Sequence, residues 1–277
     1  MWRRNRVEIK SREQMRTMRV AGLIVAQALA EVRDVIRPGL SLVQINELAD
    51  TVIRDNNATP SFFGYEGFPA SVCISVNEQV IHGIPTERKL RDGDVVSIDC
   101  GAHVDGWHAD SAATFLVGEP LQPHTHDLIE VTRSAMWSGI AAMDSARYVR
   151  DIGGAIESTI EQANELHKVE FGIVEDYVGH GIGSALHQAP DVVNFWVREK
   201  GPRLKPGLCL AIEPMVTLGS AECDVLDDSW TVVTRDGSLS AHWEHTVALL
   251  DDGICVLTAQ DGGKAELADY GIVVSEP

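Results

Sequence analysis

The 277-residue sequence lacks any apolar run that approaches the roughly 20 residues of a membrane-spanning helix. Its basic start is followed by Val7-Glu8-Ile9-Lys10, where a secretory signal would have an apolar core. These two absences predict a cytoplasmic protein without a membrane partner.

Cysteine is scarce and shows no paired spacing. The five cysteines are an odd number and contain no C-x-x-C pair, which argues against both a disulfide framework and a zinc ribbon. We therefore expect reduced thiols at Cys73, Cys100, Cys209, Cys223 and Cys255.

Positive charge is also in short supply. The 23 basic residues against 41 acidic ones give a formal net charge of −18, which repels nucleic-acid phosphates and disfavours a specific nucleic-acid partner. One local exception is the amino-terminal run, which is typical either of a solvated tail or of a contact with RNA or a ribosome. Its members are Arg3, Arg4, Arg6, Lys10 and Arg12.

Two amphipathic helices are predicted at the start of the chain. Residues 11–36 begin with a capping-box pattern and carry apolar residues spaced three and four apart, and Pro38-Gly39 ends the helix. Residues 41–53 repeat the capping box and the apolar face, and residues 71–76 are strand-like.

The second half of the sequence repeats this order. Helical stretches are predicted at about 127–143 and 149–165, followed by strands. Residues 90–99 align with 204–213 without a gap, which makes Asp99 and Glu213 equivalent. Short matches arise by chance, but agreement of motif and element order favours a duplication. We expect one catalytic domain over 1–277, with an internal repeat of about 11–120 and 125–250 around a central site.

The stretch from Val95 to Phe115 contains the first candidate site. A short apolar strand ends in Asp99, and Asp110 follows eleven residues later. The Gly101 to Gly106 segment can reverse the chain, so two antiparallel strands would present both carboxylates to one cavity. A hairpin with two solvated acids is the alternative, although Asp is depleted in strands and is costly to bury without a partner or a cation.

Seven residues in apolar surroundings are candidate metal ligands. Four carboxylates with one or two imidazoles suit a pair of divalent cations such as Mn, Co, Fe, Ni or Zn. Taken singly, each histidine is more typical of a hydrogen-bonded core or surface position. The sequence has no phosphate loop and neither the H-E-x-x-H nor the G-x-S-x-G motif. The candidates are His82, Asp99, Asp110, His180, His187, Glu213 and Glu244.

Together and in order, these residues resemble the type I methionine aminopeptidases. The resemblance runs from the first helix to about Leu250. It rests on Val72-Cys-Ile-Ser-Val-Asn77 with His82-Gly-Ile-Pro85, Asp99 with Asp110-Ser-Ala-Ala-Thr-Phe115, Gly179-His180-Gly-Ile-Gly183, Ala211-Ile-Glu213-Pro-Met215, and Ser238-Leu-Ser-Ala-His-Trp-Glu244-His-Thr246.

The resemblance implies an α+β, pita-bread fold and a monomeric enzyme that removes the N-terminal methionine from nascent proteins by metal-activated hydroxide attack. Asp99, Asp110, His180, Glu213 and Glu244 would be the metal ligands. Glu213 would also shuttle a proton. His82 and His187 would contact the substrate and stabilise the oxyanion. The methionine pocket would consist of Tyr65, Phe68, Cys73, Leu186 and Trp230, for which plain core packing is the alternative.

Two departures from the family pattern concern the pocket. Leu186 stands where bulkier residues are common, and Gln188-Ala189 replaces an acidic pair. The chain also lacks the long insert of the type II enzymes between His180 and Glu213, and an amino-terminal extension. The rival interpretations are a pita-bread peptidase of the proline-dipeptidase or aminopeptidase P kind, and a binding protein that has lost catalysis.

Overall fold

The computed structural model describes residues 7–277. Three members of the basic amino-terminal run, Arg3, Arg4 and Arg6, lie outside the described residues. The other two make internal contacts, because Lys10 is buried and Arg12 pairs with Asp252.

The first half contains the two predicted helices. Ser11 and Ser41 are the N-caps, and each forms the predicted capping box with the glutamine three residues later. Both helix predictions and the strand prediction for 71–76 are confirmed. The elements are α1 (Arg12–Val35), α2 (Leu42–Asp55), β1 (Thr59–Pro60), β2 (Val72–Val76), β3 (Gln79–Ile81), β4 (Val95–Val104) and β5 (Trp107–Leu116).

The second half again begins with two helices, as predicted, and continues with short strands. A five-residue helix follows the last strand. The elements are α3 (Thr125–Ser145), α4 (Arg150–His167), β6 (Gly172–Ile173), β7 (Gly179–Gly181), β8 (Gln188–Val192), β9 (Cys209–Ile212), β10 (Met215–Thr217), β11 (Cys223–Val225), β12 (Val232–Thr234), β13 (Ser240–His242), β14 (His245–Leu250), β15 (Gly253–Val256) and α5 (Lys264–Ala268).

The strands β4 and β5 form a long antiparallel hairpin, as predicted. Asp99 pairs with Ala112 and Gly101 pairs with Asp110. Because side chains two apart on a strand point the same way, Asp99 and Asp110 lie on one face of the hairpin. The reversal itself is at Asp105-Gly106, where both residues have positive φ. Gly101 lies inside β4, so the turn is shorter than the predicted segment.

Each half has its own apolar core. One core is formed by α1, α2, β2, β4 and β5, and the other by α3, α4 and the strands β9, β10 and β13 to β15. Strand β9 is central in a five-stranded sheet of order β15-β14-β9-β7-β8. Among residues 7–277, none of the helices combines the length and the hydropathy that a membrane span requires.

The two halves meet where β5 contacts the segment between β13 and β14. The backbone N–H of Glu244 donates to the carbonyl of Ala112 at 3.0 Å. The backbone N–H of His242 donates to the Thr114 hydroxyl at 2.9 Å, and this hydroxyl donates to the His242 carbonyl at 2.7 Å. These contacts bring Glu244 beside the face that carries Asp99 and Asp110.

Candidate metal centre

The five predicted ligands converge from both halves of the fold. Asp99 and Asp110 come from β4 and β5, and His180 comes from β7. Glu213 follows β9 directly, and Glu244 lies between β13 and β14. All five line one pocket.

The donor atoms lie close enough together to share metal ions. His180 Nε2 is 3.6 Å from Asp110 Oδ2 and 3.4 Å from Glu213 Oε1. One donor atom each from Asp110, His180 and Glu244 lie within 4.8 Å of one another. The Nδ1 atom of His180 is 3.0 Å from the Gly181 carbonyl, to which it can donate, and this leaves Nε2 free as a ligand.

Burial opposes ionisation of these carboxylates. It raises the pKa values of Asp99, Glu213 and Glu244 well above their ordinary values, and repulsion from the neighbouring carboxylates raises them further. Burial also raises the pKa of Asp110, to about 6, and lowers the pKa of His180 to about 4. Burial thus favours the neutral imidazole of His180, and a bound cation would favour ionisation of the four carboxylates.

The donor set fits divalent metal ions. The Oδ1 atom of Asp99 is buried and has no hydrogen-bond partner among the described residues, as expected for an atom that a cation would satisfy. The four negative charges of the carboxylates would balance the four positive charges of two dications. Mixed carboxylate and imidazole ligands suit first-row transition metals. The residues that would hold the ions are therefore Asp99, Asp110, His180, Glu213 and Glu244.

A threonine fixes the position of Asp110. The hydroxyl of Thr246 accepts from the Asp110 backbone N–H at 3.1 Å and lies 2.9 Å from Asp110 Oδ1. Since Thr246 belongs to β14, this pair is a further link between the two halves. Sequence analysis placed Thr246 in a motif but assigned it no role.

The predicted methionine-pocket residues adjoin the carboxylates in a cavity of about 350 Å³. Cys73 pairs with Asp99 across β2 and β4, so the two side chains share a face. Phe68 packs edge-on against Trp230, with ring centroids 5.1 Å apart. Leu186 is buried, whereas Tyr65 is half-buried.

The two predicted substrate histidines both line this cavity. His187 is hydrogen-bonded through Nδ1 to the Tyr65 hydroxyl at 2.9 Å, and its ring centroid is 4.3 Å from that of His180. His82 is in the left-handed region, at φ 58°, and its ring lies edge-on to those of Tyr177 and Trp230. Burial lowers the pKa of His82 to about 4.

Sequence analysis missed three residues at the site. Phe62 and Glu66 line the cavity, and both belong to the aromatic segment between α2 and β2. His242 Nε2 lies 3.5 Å from Glu213 Oε2 and has no hydrogen-bond partner among residues 7–277. The motif His242-Trp-Glu-His245 contains it, but the sequence pattern gave no reason to prefer it over its neighbours.

The loop that carries Leu186 and His187 is held by the amino-terminal segment. The Glu8 carboxylate accepts from the Ser184 N–H at 3.1 Å, from the Ser184 hydroxyl at 2.6 Å and from Gln188 Nε2 at 3.0 Å. Partial burial alone would raise the pKa of Glu8, but these hydrogen bonds outweigh it and lower the pKa to about 2.

Comparisons of the sequence with known proteins identify a metallopeptidase family and relatives of high identity. The model of metallopeptidase family M24 matches residues 16–251. Methionine aminopeptidase 1 of Mycobacterium tuberculosis is 49% identical over 250 residues, which cover 90% of this chain and 94% of that protein.

Solved structures agree on the fold. The crystal structure of methionine aminopeptidase from Thermotoga maritima matches with a TM-score of 0.87 and 37% identity, over 92% of this chain and 100% of that one. A prolidase from Pyrococcus furiosus matches with a TM-score of 0.71 at 19% identity, over 91% of this chain and 65% of that one, and shares the fold alone.

The fold is thus the α+β pita-bread fold that the sequence resemblance implied, and the extended similarity is to the methionine aminopeptidases. By the family model and by its relatives, the chain belongs to metallopeptidase family M24 and, within it, to the methionine aminopeptidases.

Proposed function

We propose that this enzyme removes the N-terminal methionine from nascent proteins and peptides. The observation that carries the proposal is the position of the apolar pocket, which adjoins His180 and a cluster of four carboxylates, two of them buried and two partly exposed. A thioether side chain suits the sulfur, aromatic and aliphatic lining, and the cluster suits a peptide bond next to that side chain.

When bound, divalent ions at such a cluster supply Lewis acidity and a water of lowered pKa. Asp99, Asp110, His180, Glu213 and Glu244 would hold them. Glu213, at the edge of the cluster, transfers a proton to the leaving amine. The metal identity, for which Co, Mn, Fe, Ni and Zn are the candidates, is left to metal analysis of protein purified without added metal.

His82 and His187 act on the substrate without binding metal. Each lines the cavity from outside the carboxylate cluster, where a ring N–H can donate to the oxygen of a tetrahedral intermediate. The hydroxyl of Tyr65 orients His187 through their hydrogen bond. Both histidines therefore position the first peptide bond and stabilise the developing negative charge.

Hydrolysis of Met-Ala-Ser with added Co or Mn tests the function. We expect turnover with Met-Ala-Ser and none with X-Pro dipeptides. A preference for X-Pro dipeptides would instead favour the proline-dipeptidase alternative. Inactivity of the metal-loaded protein on both substrates would favour a binding protein.

Two variants separate the proposed roles. Glu213→Gln removes a charged ligand and the proton transfer together, so both metal content and turnover should fall. His82→Ala removes only a hydrogen bond to the reacting peptide, so kcat/KM should fall by about 10²–10⁴-fold with metal content intact. Loss of metal in His82→Ala, or unchanged turnover, would contradict its assignment.

The pocket assignment predicts altered specificity. Cys73 lies beside Asp99 and its thiol is buried, so Cys73→Asn places an amide against the first side chain. We expect kcat/KM for Met to fall relative to that for Leu, Gln and norleucine substrates. The matched control is Cys223→Asn, because Cys223 lies outside the cavity lining. An unchanged preference in Cys73→Asn and Trp230→Ala would place the pocket elsewhere.

We also propose that residues 1–277 form one catalytic domain with an internal repeat, and that the enzyme is a cytoplasmic monomer. The two largest apolar cores, which lie mainly in one half each, support the repeat, and a smaller cluster of residues from α1, β9 and β14 joins the halves. A contact with the ribosome stays a prediction. Arg12 and Lys10 already make contacts within the fold, so among the described residues they contribute little free positive charge to it.

A further inference from the structure

We propose that His124, Asp127 and His167 form a second divalent-metal site, which binds Zn²⁺ and joins α3 to α4. This site would be independent of the catalytic centre, to which none of the three residues contributes. One donor atom from each residue lies within 4.8 Å of the other two.

The distances are close to those of a ligand set. His124 Nδ1 is 2.8 Å from Asp127 Oδ2, and His167 Nδ1 is 3.2 Å from the same oxygen. Tetrahedral zinc, with bonds of about 2.0–2.2 Å, places its ligands roughly 3.3 Å apart. The His167 contact already has about this length, whereas zinc binding would lengthen the His124–Asp127 contact by roughly a few tenths of an ångström. All three side chains are partly exposed.

The chain positions these ligands through the helical hairpin of α3 and α4. The two helices are joined by the short connection between Ser145 and Arg150, so the start of α3 lies beside the end of α4. Asp127 is in the first turn of α3, and His167 is the last residue of α4. A metal at this point would close the open end of the hairpin.

Neighbouring groups hold the ligands in place. His124 is the N-cap of α3 and has a left-handed backbone, at φ 62°, which turns its ring towards Asp127. The ring of His167 packs edge-on against Phe171, with centroids 5.9 Å apart.

Two imidazoles and one carboxylate are a zinc ligand set of the open kind, in which water fills the fourth position. The same geometry also permits a simpler arrangement, in which both imidazoles donate their Nδ1–H to one carboxylate oxygen. Zinc would take the place of those two Nδ1 protons, and each neutral imidazole would then carry its proton on Nε2. Measurements of bound metal distinguish the two arrangements.

The test is a zinc titration of the full-length chain by equilibrium dialysis. We expect the wild type to bind one more equivalent than either His167→Ala or His124→Ala. We also expect saturating zinc to raise the Tm of the wild type by more than that of the two variants. His126→Ala is the matched control, since His126 is an exposed histidine in the same helical turn but outside the cluster.

Equal zinc stoichiometry in the wild type and in both cluster variants would overturn the proposal. The proposal would also fail if His126→Ala lost as much bound zinc as the cluster variants. Circular dichroism without zinc establishes that the variants fold, and Asp127→Asn provides a third variant. Hydrolysis of Met-Ala-Ser should be unchanged in the cluster variants. The proposal of a surface zinc site and the proposed catalytic function are therefore tested independently.

Discussion

Replacement of Glu8 by Gln should weaken both the fold and the substrate site. Glu8 accepts three hydrogen bonds from the loop that carries Leu186 and His187. It also lies 3.5 Å from the Lys10 ammonium, whose side chain is only 1% exposed. Gln retains the shape of Glu but lacks the charge, and its NH₂ group faces donors where an acceptor is needed.

The magnitude follows from the environment of the pair. Removing one partner of a fully buried ion pair costs about 3–5 kcal/mol, because the other charge is left without compensation. Glu8 is 31% exposed, and burial lowers the pKa of Lys10, so the ammonium can lose its proton more easily than an exposed one. We therefore expect Glu8→Gln to destabilise the chain by roughly 2–3 kcal/mol, below the range for a fully buried pair.

Thermal unfolding at fixed metal concentration measures this effect. The expected decrease in Tm is about 3–5 °C for a chain of this length. Lys10→Met should cost far less, since it removes the buried charge itself, and the double variant should be less destabilised than the sum of the single variants. A decrease below about 1 °C in Glu8→Gln, or strict additivity, would refute the reasoning.

The contacts of Glu8 should also make the stability of the fold depend on pH. Because the pKa of Glu8 is lowered from 4.5 to about 2, its stabilising contribution is complete above pH 4.5 and is lost as the pH falls towards 2. The Tm difference between wild type and Glu8→Gln should therefore be largest near neutral pH and should shrink in acid. A larger KM for Glu8→Gln at neutral pH would reflect the loosened loop.

Two further predictions concern contacts within and between the halves. Thr246→Val removes the hydroxyl that is hydrogen-bonded to Asp110, so the affinity for metal should fall by about 10–100-fold. Thr246→Ser should restore part of this affinity. An unchanged affinity in Thr246→Val would mean that the hydroxyl does not position Asp110. Gly22→Ala would place its Cβ 2.2 Å from the Leu257 carbonyl oxygen. This clash should lower the free energy of unfolding by about 1–3 kcal/mol, as measured by thermal unfolding. Gly154→Ala is the control, because its Cβ meets only a Trp196 ring atom, at 3.4 Å, and an equal loss there would argue against a steric cause.

The long helices were predictable because their signals are local. Capping boxes at Ser11 and Ser41 and apolar spacings of three and four fixed α1 and α2 to within a residue or two. The short strands of the second half were not predictable one by one, since elements such as β6 and β7 are two or three residues long. Their position depends on pairing with distant strands, which leaves no period in the sequence.

The candidate ligand residues were found for a different reason. A carboxylate such as Asp99 inside an apolar strand is costly unless something compensates it, so its position favoured a site, and the resemblance to the methionine aminopeptidases implied the ligand set. His242 and Glu8 carried no such signal. Glu8 belongs to a charged segment that reads as an exposed tail, and only the fold shows that Lys10 beside it is buried.

Assembly of the site depends on the junction of the two cores. Asp99 and Asp110 belong to the first half, and His180, Glu213 and Glu244 belong to the second. Neither half alone supplies enough donors for two metal ions. The contacts of Ala112 and Thr114 with the segment 242–244 set the register in which Glu244 reaches the two aspartates. Repulsion among the buried carboxylates opposes this junction, and bound cations would relieve that repulsion, so metal binding and association of the halves should stabilise one another.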